Sequence, residues 1–216
     1  MGHYLLKKLL SKYLQSLQSN MKSQTVIFIG PQGSGKGTQV ERLTAYLHEN
    51  SPEQPVVSIE TGKGFRDLAE TDTYTAQRVK EILAEGGLIP NFLIKSFVIK
   101  YLTKNLTDHA HITMDGFPRN LVQVHFIDDL MKFYKRDGLS VVFLNVSEDV
   151  VRKRMEGRGR NDDTPDLIDE RLRLYKEQTE PIIAEYEDRA DINFIRIDGE
   201  LPISEITQKI IEGLDI

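Results

Sequence analysis

An apolar run, Val26–Ile29, passes directly into Gly30-Pro31-Gln32-Gly33-Ser34-Gly35-Lys36-Gly37-Thr38 and then into a segment with helical spacing from Gln39 to His48. A strand that turns through a glycine loop into a helix is the opening unit of an alternating α/β chain. The loop fits G-x-x-x-x-G-K, with Gly37-Thr38 where the pattern usually has Ser or Thr directly. Glycines let backbone N–H groups converge on phosphate oxygens, and the helix that follows presents its positive end to them. Lys36 adds a point charge that reaches β- and γ-phosphates. The segment predicts a nucleoside triphosphate site with Gly33, Ser34, Gly35, Lys36, Gly37 and Thr38 as its contacts. It does not say which reaction follows.

Four further β-rich runs share the chain: Val56–Ile59, His111–Met114, Ser140–Val146 and Asn193–Ile197. Several are continuously apolar, as strands covered on both faces should be. Helical periodicity fills the spaces between them at Ala76–Ala84, Ile94–Leu106, Leu121–Tyr134 and Ile168–Tyr186. The alternation predicts an α/β fold, a doubly wound five-stranded parallel sheet with helices on both faces. Ligands of such sheets bind outside the carboxyl ends of the strands, so the residues just after each strand should carry the function.

Composition closes off other classes. The formal net charge of −5 lacks the basic footprint of a general nucleic-acid binder. The absence of cysteine excludes disulfides, thiolate zinc sites and thiol nucleophiles. No apolar run approaches the ~20 residues of a membrane span. Residues 1–20 stand apart from the rest. Leu5, Leu6, Leu9, Leu10, Tyr13, Leu14 and Leu17 share one helical face, with Lys7, Lys8 and Lys12 off the stripe. Such an amphipathic extension can dock on the domain, or contact a membrane or partner through residues 4–17. Alternatively it lies upstream of a start at Met21. Lysines interrupt it too often for a secretory signal. Leu6 occupies the position where myristoylation needs Ser or Thr. A cytoplasmic location is the expectation.

The third strand runs into Asp115-Gly116-Phe117-Pro118-Arg119. Asp115 stands where an acid helps hold Mg²⁺ near phosphates, through water. Arg119 follows a stiff turn that can aim its fork at an anion. After the fourth strand come Arg152, Arg154, Arg158 and Arg160, then Asp162-Asp163 and Arg171. Phosphoryl transfer needs positioning and positive charge more than covalent chemistry, and Arg supplies a permanent planar cation.

With Gly30–Thr38 and Asp115–Arg119 together, the chain resembles the adenylate kinase family of nucleoside monophosphate kinases from Gln24 to its C-terminus. The resemblance implies transfer of the γ-phosphoryl of ATP-Mg to a nucleoside monophosphate by a P-loop core with two mobile inserts. It places a helical acceptor-binding insert at about 60–90 and a very short lid at about 154–163, within a domain of residues 21–216. On the ATP side it implies Lys36, Arg154 over the base, Arg158 on the phosphates, and the loop near Leu201 against the adenine. On the acceptor side it implies Thr61, Arg66, the Gly87-Leu88-Ile89 backbone, Gly116, Phe117, Pro118, Arg119 and Gln123. Arg160 and Arg171 would meet the transferring and acceptor phosphates. Lys36, Arg119, Arg158, Arg160 and Arg171 form the implied catalytic set, and Asp162 and Asp163 would orient the arginines.

This sequence departs from the family pattern at Glu60 for Ser, Lys63 for Asp and Asn91 for Asp, and only Gly159 separates Arg158 from Arg160. Tyr175 completes an Arg-x-x-x-Tyr pattern as a packing residue. Gln123 and Thr61 favour AMP as acceptor. The short lid leaves a UMP/CMP-type or broad-specificity kinase open, and a non-catalytic nucleotide-binding protein is a third reading. Family likeness and the lack of an evident coiled coil suggest a monomer without zinc.

Overall fold

The computed structural model describes residues 21–159 and 163–216. The amphipathic extension, Arg160 and Asp162 therefore lie outside the described residues. Five parallel strands form one sheet: β1 Thr25–Ile29, β2 Val56–Glu60, β3 His111–Asp115, β4 Leu139–Asn145 and β5 Ile192–Asp198. Their spatial order is β2-β3-β1-β4-β5, the doubly wound arrangement expected. Each expected strand matches an observed one to within a residue at either end.

Burial on both faces explains the apolar runs. In β1, Val26 and Phe28 join one core while Ile27 and Ile29 join the other. Likewise in β4, Val142 and Leu144 face the first core and Leu139, Val141 and Phe143 the second. Helices α1 Lys36–Asn50 and α9 Ile203–Leu214 cover the first side through Val40, Leu43, Leu47, Ile206 and Ile210. The opposite side is covered by α4 Asn91–Asn105, α5 Leu121–Phe133 and α8 Pro181–Glu187. Each fully buried Leu, Ile or Val contributes about 1.5–3 kcal/mol relative to exposure.

Between β2 and α4 stand α2 Thr61–Ala69 and α3 Tyr74–Ala84, in the stretch expected to bind the acceptor. After β4 come α6 Glu148–Gly157 and α7 Pro165–Leu174. These two share a small separate core of Val151, Met155, Ile168 and Leu172. The expected continuous helix Ile168–Tyr186 needs correction. It consists of α7, a π-helical turn Tyr175–Thr179, and α8. Pro181 has no N–H to donate to the carbonyl four residues earlier, so the ladder breaks there. The preceding turn widens, and Glu180 N–H donates to Tyr175 O at 2.9 Å. Helix α9 was not foreseen, although Ile206, Ile210 and Leu214 recur at helical spacing behind Pro202.

Among the described residues no helix is long and apolar enough to cross a membrane.

Candidate active site

The sheet reverses its winding at β1, which lies between β3 and β4. Register places the ends of three strands in one row: Glu60 pairs with Asp115, and Asp115 with Phe28. The segments that follow them, beginning at Thr61, Gly116 and Gly30, must therefore emerge side by side. A cavity of about 410 Å³ opens there, lined by Lys36, Thr61, Arg66, Asp115, Arg119, Arg154, Arg158 and Arg171 among others. Among the described residues seven Lys or Arg side chains line it against three Asp or Glu. A chain of net charge −5 has gathered its cations at this point, which suits a polyanionic ligand.

The glycine loop runs from β1 into α1. Gly35 takes φ 97°, a left-handed conformation that a side chain would strain, and the helix starts at the next residue. Lys36 folds back over the loop, and its Nζ donates to the carbonyls of Gly30 and Pro31 at 2.8 Å each. Burial lowers its pKa to about 8; Asp115 opposes the shift, while Arg119 and Arg158 add to it.

Gly116 has φ 77°, and a β-carbon there would meet Thr61 Oγ1 at 2.6 Å. Thr61 Oγ1 in turn donates to Asp115 O at 3.3 Å, tying the end of β3 to the start of α2. Arg119 is anchored three ways. Its Nε donates to Gly116 O at 2.9 Å, its backbone N–H to Gln123 Oε1 at 2.7 Å, and its carbonyl accepts from Thr179 Oγ1 at 3.1 Å. Burial lowers the Arg119 pKa, with Asp115 opposing and Arg171 and Arg66 adding to the effect. The guanidinium stays charged nonetheless. Arg66, Arg119 and Arg171 thus line one cavity from three segments distant in sequence.

Asp163 joins the far side. Its Oδ1 accepts from Arg158 Nη2 at 2.7 Å and from Arg171 Nη1 at 2.9 Å, and Arg158 Nε donates to Oδ2. The Asp163 side chain is 2% exposed. Such a buried carboxylate between two guanidinium groups fixes their directions. Arg154 Nη1 donates to Ser34 O at 3.4 Å, which lays it along the glycine loop.

Asp115 Oδ1 is buried without a hydrogen-bond partner, a cost that a bound cation or its water would remove. Gly37 is close by, a β-carbon there coming 3.8 Å from Asp115 Oδ2. An orphaned carboxylate oxygen beside a phosphate loop fits Mg²⁺ held through water.

Most expected residues meet in this cavity, including Gly33, Gly35, Gly37, Thr38, Gly87, Leu88, Ile89, Gly116 and Gln123. Four sit elsewhere. Ser34, within the loop, is buried and Phe117 lies in the core. Pro118 lines a small adjoining cavity of about 30 Å³. Leu201 packs against the α1–α9 side. Gln32, Glu60, Gly62 and Lys63, which belong to the motifs read in the sequence but not to the expected contacts, also line the main cavity, as do Glu41, Phe65, Leu83, Gly86 and Ile94, which were unforeseen. For Gly62 and Lys63 a signal existed, since both directly follow the carboxyl end of β2. Leu83 and Ile94 arrive by helix packing, which has no local signature.

The sequence model described as adenylate kinase matches residues 28–191. This chain belongs to the adenylate kinase family. An adenylate kinase of Prochlorococcus marinus (strain MIT 9515) is 35% identical over 189 residues, 85% of this chain and 97% of that protein. Adenylate kinase 1 of Nostoc sp. (strain PCC 7120) is 33% identical over 185 residues, 86% of this chain and 95% of its own length. An adenylate kinase of Thermus thermophilus is 34% identical over 197 residues, 89% and 98% respectively. The family match spans the glycine loop, the Asp115–Arg119 turn and the arginines after β4 alike.

Proposed function

We propose that this chain transfers the γ-phosphoryl group of ATP to AMP, giving two ADP. The observation that carries the reading is one cation-rich cavity in which the phosphate loop faces Arg66, Arg119, Arg158 and Arg171. A phosphate loop alone serves many reactions. Guanidinium groups converging from the acceptor insert, the β3 turn and α7 suit a second phosphate opposite the first.

In this reading Lys36 and the N–H groups of residues 33–38 hold the ATP phosphates, Arg154 covers the ATP base, and Arg158 reaches its phosphates. The loop at Leu201 touches the adenine. Arg66 and Arg119 grip the AMP phosphate, and Arg171 and Arg160 meet the transferring group. Gly116-Phe117-Pro118 sets the turn that aims Arg119. Thr61, Gly87, Leu88, Ile89 and Gln123 receive the sugar and base of AMP. Mg²⁺ draws charge from the phosphate oxygens when it binds with ATP, and Asp115 would hold it through water. The acceptor is already an anion, so no general base is required. What the protein supplies is alignment and fixed positive charge where the transferring oxygens gather it.

Diphosphate formation from ATP-Mg with AMP, GMP, UMP or CMP tests the reading. Turnover with AMP far above the rest is the expected result. Preference for UMP or CMP would keep phosphoryl transfer and overturn the base assignment. No turnover with any acceptor, alongside measurable ATP binding, would make the chain a nucleotide-binding protein. Lys36→Met and Arg119→Ala should each lower kcat by about 10²–10³-fold with little change in Tm. Equal losses of stability and turnover would make the two residues structural.

A further inference from the structure

Gln123 lines the main cavity and its side-chain amide joins those of Asn91 and Asn120, which do not line it; two backbone N–H groups set the orientation of the three. A backbone N–H only donates, so the Gln123 atom facing Arg119 N at 2.7 Å is the oxygen. The Asn120 atom facing Gln123 N at 3.1 Å, at the start of α5, is likewise the oxygen. The Asn120 amide nitrogen is thereby turned to Asn91, whose Oδ1 accepts from it at 3.1 Å and from Gln123 Nε2 at 2.8 Å. Gln123 is 2% exposed and lines the cavity. Asn91 is not among the lining residues.

An amide has two lone pairs and two N–H bonds. Arg119 N occupies one lone pair of Gln123 and Asn91 Oδ1 one N–H. One acceptor and one donor remain, in an order that cannot invert while both bonds stand. Adenine offers a donor at N6 and an acceptor at N1. Hypoxanthine, of nearly the same shape, offers an acceptor at O6 and a donor at N1. A rotating amide serves both orders, whereas a locked amide serves one.

We propose that Asn91 is a positioning residue that makes the acceptor site select a 6-amino purine over a 6-oxo purine by locking the amide of Gln123. The proposal rests on the AMP reading above. Inversion of the amide would turn Nε2 toward the Arg119 N–H and Oε1 toward Asn91 Oδ1, two repulsive contacts in a buried place. Without the Asn91 oxygen, one of the two disappears.

The test compares kcat and KM for AMP and for inosine monophosphate, at saturating ATP-Mg, in the full chain and two variants. Asn91→Leu removes the acceptor at similar size. It should lower the AMP-to-inosine-monophosphate ratio of kcat/KM by about three- to tenfold, the worth of one neutral hydrogen bond. The change should fall on KM, with kcat held within about twofold. Asn91→Asp keeps an oxygen for both donors and should keep the ratio. If Asn91→Leu does not fold, Asn91→Ala carries the same expectation. An unchanged ratio in the variant lacking the oxygen, or an equal loss in Asn91→Asp, would overturn the proposal. A full chain that fails to turn over AMP, or that prefers inosine monophosphate, would instead overturn the reading beneath it.

Discussion

Lys36 carries its charge at a cost: burial and neighbouring arginines bring its pKa from the usual lysine range to about 8. In the free protein the ammonium persists below that pH and is lost as pH rises through it. The pH dependence of kcat/KM reports the free enzyme. The kcat/KM for ATP-Mg is therefore expected to decline above pH about 8, with AMP saturating. A profile flat from pH 7 to 9.5 would show that this amine is not the group that binds phosphate. Asp163 sets a different constraint, since it fixes Arg158 and Arg171 together. One carboxylate thereby aligns two elements that frame the cavity.

At the scale of elements, α2 is held against α4 by an aromatic seam. Phe97 lies 5.4 Å from Phe65 and 6.1 Å from Tyr101, ring centre to ring centre. Gly64 makes room for it, because a β-carbon there would come within 2.3 Å of the Phe97 ring. Gly64→Ala would gain about 1 kcal/mol in helix propensity and lose about 1–3 kcal/mol to overpacking. Net destabilisation is expected, with a raised KM for AMP because α2 carries Arg66. Denaturant unfolding and acceptor kinetics check both parts, and a more stable Gly64→Ala would show that the ring yields freely. Helices α6 and α7 are tied differently, through their own small core and the ion pair of Arg152 with Asp169 at 2.5 Å. That ion pair is exposed and worth little by itself, so the apolar contacts position the pair.

For the whole molecule, the amino end of the strands, opposite the cavity, matters to stability. His111 opens β3 with 0% exposure, and its Nδ1 accepts from Gln24 N–H at 3.0 Å. Burial foremost, then Arg136 and His48, lowers its pKa to about 4. The native state thus keeps His111 neutral at pH values where the unfolded chain protonates it. Unfolding stability should fall as pH drops from about 6.5 toward 4, by about 1.4 kcal/mol per pH unit from this group. His111→Gln, which keeps an acceptor and cannot titrate, is expected to show a shallower slope over that range. Equal slopes would remove His111 from the account of acid sensitivity. At the cavity end, α6 stops at Gly157 and α7 begins at Pro165, which leaves few residues of sequence for the short lid that the family resemblance implies. A short cover excludes water poorly, and ATP hydrolysis above the buffer rate is expected without acceptor. A rate equal to buffer would show that the arginines and inserts shield the γ-phosphate well enough.

Local chemistry in the chain determines β1, the phosphate loop and α1, because their glycines, lysine and apolar run act within a dozen residues. It also determines the five strands, whose burial on both faces leaves continuous apolar runs such as Val141–Leu144. Resemblance to a family added Arg66, Arg119 and Arg171 as partners, a link that composition and periodicity do not contain. Only the tertiary structure decided the strand order, and with it the row Glu60, Asp115 and Phe28 that opens the cavity. The resemblance implied Asp163 as an orienter of the arginines, but only the tertiary structure decided that one oxygen serves both Arg158 and Arg171, and that Asn91 meets Asn120 and Gln123 across 29 and 32 residues of chain. Local propensity reaches about one helical turn or one strand pair along the sequence. Which distant side chains share a hydrogen bond depends on how the helices pack across the finished sheet.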